Sequence, residues 1–107
     1  MPLMGNRWQG FYAGKRYFKG TIMNWEKTTE EKFNRLLEKI PVFLRGMARE
    51  KVSKKAEGIA AQEGRAQVTE KDLVDAFFAE TPFGFHGPMK NDMEGIGIDY
   101  TSYGYQR

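Results

Sequence analysis

Helical periodicity runs through one central stretch of this chain, about Asn24 to Glu80, and is missing from both ends. Apolar residues at i, i+3, i+4 and i+7 mark one face of a helix. Phe33, Leu36, Leu37 and Ile40 make such a stripe, with Thr28-Thr29-Glu30-Glu31 ahead of it as a capping box. Pro41 ends that helix, because the residue before a proline is pushed out of the α region. The same proline suits the first turn of a second helix. That helix is expected from about Val42 to Glu63, with Leu44, Ala48, Val52, Ala56 and Ile59 as its apolar line and Phe43 and Met47 beside it. Gly64 fits a left-handed cap, while Gly46 and Gly58 weaken the helix or mark close contact. Ala66-Gln67-Val68 reads as a short extended link, and Thr69 as the next N-cap, with Asp72 in the capping-box position. Leu73, Val74, Ala76, Phe77 and Phe78 give the third helix its apolar face, and Thr81-Pro82 closes it.

The expected fold is therefore all-α. A three-helix core, short–long–short, occupies residues 24–81. A basic aromatic tail precedes it over 1–23, and a Gly/Tyr-rich tail follows over 82–107, both extended. The 107 residues fit one domain at most. Met1 and Met23 are both candidate starts. So small a core sits near the stability limit and gains from any partner that binds only its folded form.

Several chemistries are excluded by composition. The chain has no cysteine, which removes disulfides, thiolate-ligated zinc, iron–sulfur ligation and thiol nucleophiles. His86 is its one histidine and reads as a turn residue beside Gly84, Phe85, Gly87 and Pro88. Ser53 and Ser102 have no base placed by any motif. Asp72 and Asp75 read as first-turn acids favoured by the helix dipole. No catalytic residue, metal ligand or cofactor-binding residue is expected. Gly95 and Gly97 lack the strand–turn–helix surroundings of a dinucleotide fingerprint. No apolar run approaches the roughly 20 residues of a membrane span, and a cytoplasmic setting is expected, with peripheral contact to a membrane complex left open.

The net charge of +3 is unevenly placed. Arg7, Lys15, Arg16 and Lys19 meet no acid within the first 25 residues, while bases and acids balance over 26–80. Inside that neutral core, Arg45, Arg49, Lys51, Lys54 and Lys55 are opposed locally only by Glu50, whereas Glu70, Asp72, Asp75 and Glu80 are opposed only by Lys71. One reading is charge compensation between two packed helices. The other is a basic face offered to an anionic partner. Arg45 and Arg49, one turn apart, either clamp a carboxylate or phosphate or pair with the acidic third helix.

Ten of the fifteen aromatic residues and nine of the twelve glycines lie in the flanks. Disordered tails are normally poor in rings. Aromatic residues and arginine are common interface anchors. Trp8, Phe11, Tyr12, Arg16, Tyr17 and Phe18 at one end, and Phe83, Phe85, Tyr100, Tyr103 and Tyr105 at the other, are thus candidate docking residues, together with Arg45 and Arg49. The N-terminal mixture of bases and rings suits an acidic protein surface first, and also single-stranded nucleic acid, an anionic membrane face or packing back on its own core. The segment from Gly95 to Tyr105 suits either strand addition to a partner sheet or a loop returning to its own core.

Trp25, the string Leu37-Glu38-Lys39-Ile40-Pro41-Val42-Phe43-Leu44-Arg45, then Arg49, Ala56, Gly64 and Val68-Thr69 follow one another in an order that resembles the small C-terminal domain of the B subunit of light-independent protochlorophyllide reductase, a domain that also occurs as stand-alone short proteins. The resemblance spans about Trp25 to Ala79. That family's reduction chemistry belongs to iron–sulfur clusters and a tetrapyrrole site in the body of the enzyme, which has no counterpart here. The resemblance thus implies association with a redox or photosynthetic complex rather than catalysis. The long helix, short link and third helix also resemble half a histone fold. The expected function is a non-catalytic accessory subunit or interaction module whose partners are protein subunits. The alternative is a nucleic-acid-binding protein using the long helix and the N-terminal tail.

Overall fold

The computed structural model describes residues 15–18 and 21–107. β1 (Lys15–Phe18) and β2 (Thr21–Trp25) form an antiparallel hairpin, with Lys15 opposite Asn24 and Phe18 opposite Thr21. This part of the N-terminal region is therefore not an extended tail. Thr21 and Ile22 are β-branched and suit a pleated strand.

Helix α1 (Lys27–Glu38) begins immediately after the sheet. The Glu26 N–H is still bonded to the Val68 carbonyl at 3.1 Å, so the helix starts one residue later and takes Glu26 as its cap. The expected capping box at Thr28 does not form for this reason. Thr29 instead reaches back, its Oγ1 donating to Glu26 Oε1 at 2.9 Å. Phe33, Leu36 and Leu37 are buried, as their spacing predicts.

Pro41 separates α1 from α2 (Val42–Gln62) and stands at the N-cap of the second helix. α2 changes character along its length. Its C-terminal half buries Val52, Ala56 and Ala60 together with Ser53 and Glu57. Gly64 adopts φ +77°, and the Arg65 N–H closes back on the Ala60 carbonyl at 2.9 Å. This is the left-handed stop the sequence predicts.

The link at Gln67–Val68 is strand β3, parallel to β2, with Asn24 beside Gln67 and Trp25 beside Val68. Helix α3 (Glu70–Glu80) opens on Thr69 with the predicted capping box to Asp72 and buries Leu73, Val74, Ala76 and Phe77.

The C-terminal region corrects the sequence reading most. A 3₁₀ turn (Phe83–Phe85), helix α4 (His86–Gly95) and a second 3₁₀ turn (Tyr100–Tyr103) follow α3. Met89, Met93, Ile96, Ile98 and Tyr100 join the core. Pro88 is tolerated because it lies in the first turn of α4, where a backbone N–H has no partner to lose. The described residues are mostly helical: four helices carry them, with a small sheet of order β1-β2-β3.

Candidate docking surface

The N-terminal half of α2 does not bury the apolar line expected of it. Val42, Phe43, Leu44 and Met47 are 73, 82, 37 and 54 % exposed. Across from them Phe83 and Phe85 are 87 and 64 % exposed. Between the two sets lies an open groove of about 540 Å³. Leu36, Leu44, Met47, Val52, Phe77 and Met89 supply its apolar surface, together with the Ile40-Pro41 turn. Pro41 creates this geometry. It breaks the helix, so the start of α2 leaves the line of α1, and Val42, Phe43, Leu44 and Met47 stay uncovered while Leu36 and Leu37 are buried.

Charge at the groove is confined to its rim. Lys39 and Lys51 stand on the α1–α2 side, and Glu80 and Asp92 on the α3–α4 side. Among the described residues none of these four takes part in an ion pair.

The predicted site residues divide into three groups. Trp8, Phe11 and Tyr12 lie outside the described residues, and Arg16, Tyr17 and Phe18 fall in β1. Phe85 lines the groove and Phe83 stands just outside it, both exposed. The third group is engaged within the chain. Tyr100 is buried and its hydroxyl donates to Glu94 at 2.9 Å. Tyr103 donates to Glu70 at 3.0 Å. Tyr105 donates to Asp75 at 2.6 Å and stacks on Phe78 at 3.8 Å between centroids. These three rings hold the C-terminal segment to the chain itself, Tyr103 and Tyr105 against α3 and Tyr100 against Glu94 of α4.

Arg45 and Arg49 are also occupied. Arg45 Nε donates to the carbonyls of Leu37 and Ile40 at 2.8 and 2.9 Å, and Nη2 to that of Glu38 at 2.9 Å. Arg49 lies 6.0 Å from the Phe33 ring centre and 3.4 Å from Asn34 Oδ1. Neither pairs with α3. Three of the four acids of α3 find other bases: Glu70 takes Lys32, Asp72 takes Arg65, and Asp75 takes Lys71. Compensation between α2 and α3 is thus not the arrangement adopted.

Two buried carboxylates have partners that the sequence did not disclose, Trp25 for Glu57 and Arg65 for Asp72. Glu57 accepts from the Trp25 indole N–H at 2.8 Å, and that ring stacks on Phe33 at 5.2 Å. Burial works to raise the Asp72 carboxyl, but hydrogen bonds from Arg65 and Thr69 outweigh it and hold the group below its ordinary value. His86 Nε2 lies 2.9 Å from the Thr81 carbonyl, with its ring between Phe78 and Phe83. Among the described residues no group of three or more His, Cys, Asp or Glu could hold a metal ion, and no helix is long and apolar enough to cross a membrane.

Fold and groove together define a small helical domain with one uncovered apolar face. The family described as "Protein of unknown function (DUF2621)" matches residues 7–106, nearly the whole chain, and the chain belongs to it. No curated protein and no solved structure matches.

Proposed function

We propose that this chain is a non-catalytic interaction module, an accessory part of a larger protein assembly, and that the groove between α2 and α4 is where it docks. The observation that carries this reading is the contiguous exposure of Val42, Phe43, Leu44, Met47, Phe83 and Phe85 around an open apolar groove. Monomeric proteins rarely leave patches beyond about 300–600 Å² uncovered, and larger ones mark association sites. A redox or chlorophyll-related host is the finer form of the proposal, supported by the resemblance of the Leu37–Arg45 string alone.

The test is affinity capture from native extract with the wild-type chain beside Leu44→Ser/Met47→Ser and Phe85→Ser variants. Specific partner chains should be held by the wild type and lost from both variants. Capture that ignores the groove variants would remove this reading.

A further inference from the structure

The groove is walled by helices whose backbone groups are already bonded within α1, α2, α3 and α4. An extended peptide laid there would leave its own N–H and C=O groups unpaired against apolar side chains, at about 1–3 kcal/mol for each buried group. A helix arrives with its backbone satisfied and presents only side chains.

This chain carries such a helix face itself. Val42, Phe43 and Met47 are exposed on α2, at the rim of its own groove. Phe43 and Phe83 stand just outside the lining, next to Leu44 on one wall and Pro82 on the other. One surface therefore offers projecting rings and a cavity to receive them.

The rim charges have the matching symmetry. Two bases, Lys39 and Lys51, stand on one wall and two acids, Glu80 and Asp92, on the other. A two-fold axis running along the groove would lay the basic wall of each copy over the acidic wall of its mate, as an isologous interface demands.

The area is sufficient as well. At about 150–250 Å² for a fully exposed ring, the three phenylalanines leave on the order of 400 Å² uncovered. Val42, Leu44, Met47 and the groove walls bring the face toward the roughly 800 Å² per partner of a standard interface.

We infer that the groove and its rim form the interface of a symmetric homodimer, with the exposed stripe of α2 from each copy seated against the groove of the other. This inference rests on the reading of the groove as an association surface and names its occupant.

Sedimentation equilibrium of the full chain tests it with two charge-reversed variants, Lys39→Glu/Lys51→Glu and Glu80→Lys/Asp92→Lys. The wild type should reach twice the chain mass by about 100 µM, and each variant alone should dimerise at least about 10-fold more weakly. An equimolar mixture of the two variants should restore association, because each then presents two walls opposite in sign to those of its mate. Circular dichroism checks that both variants keep their helices, and Phe43→Ser, which leaves the charges in place, should weaken the dimer similarly.

A wild type that stays monomeric, or a dimer indifferent to both charge reversals, would overturn the inference. So would a monomer that dimerises only after removal of residues 1–14, since the start of the chain would then be the occupant. Groove-dependent capture of other chains by a strict monomer sinks the dimer and leaves the association reading standing. A charge-responsive dimer whose groove variants still capture a host does the reverse.

Discussion

Arg45 donates through Nε and Nη2 to the carbonyls of Leu37, Glu38 and Ile40, where α1 ends. A cation at that terminus also meets the negative end of the helix dipole. Arg45→Ala should therefore cost about 1–3 kcal/mol in urea unfolding. Arg45→Lys should recover only part of it, because an ammonium cannot fork between carbonyls set by a planar guanidinium. Asp72 supplies the acid limb of the stability profile. Its carboxyl sits below the ordinary 3.8 in the folded state, so its contribution is fully present above that value and is lost as pH falls through the folded pKa. Unfolding measured from about pH 7 to about pH 2 should show this loss, and Asp72→Asn should flatten it. Tyr103 acts at the other extreme. Burial first, and then the hydrogen bond to Glu70, push its phenol up to about 12. Its stabilisation should hold below about pH 10 and fade as pH rises toward the folded value. A phenolate absorbance titration followed beside the thermal midpoint would register both changes.

Among the elements, α4 and the segment after it separate what the sequence disclosed from what it did not. Ile98 is 1 % exposed, and Ile98→Ala should destabilise by roughly 2–4 kcal/mol, the cost of a buried cavity. Amide exchange should find α4 protected on the scale of global unfolding, whereas an extended tail would exchange at once. The central helices were legible because Pro41, Gly64 and the Thr69–Asp72 pair are strong local punctuation and the apolar stripes are regular. The spacing of Met89, Met93 and Ile96 at i, i+4 and i+7 was equally regular, but two glycines and a proline around it masked the pattern. The hairpin was not legible, because β1 and β2 are short and β3 pairs from a distant part of the chain. Of the candidate site, Phe83 and Phe85 were found from their rings. The groove was missed because Leu44 and Met47 fit a core stripe, and only the divergence at Pro41 leaves them uncovered.

At the scale of the molecule, one face is finished and the other is left open. Tyr103 and Tyr105 bond to α3 and Tyr100 is buried with its hydroxyl on α4, while Leu44, Met47 and Phe85 remain exposed. Met47→Ser and Phe85→Ser should then change folding stability by no more than about 0.5 kcal/mol. A thermal melt beside an association assay should show function and fold moving independently. The parallel pairing of β2 with β3 has a kinetic meaning. Asn24 and Trp25 meet Gln67 and Val68 only once both intervening helices have been folded back. Closing so long a loop is entropically slow. The helical pair α2–α3 should condense first and the strand register lock last, so the rise of Trp25 against Glu57 times the final step of assembly.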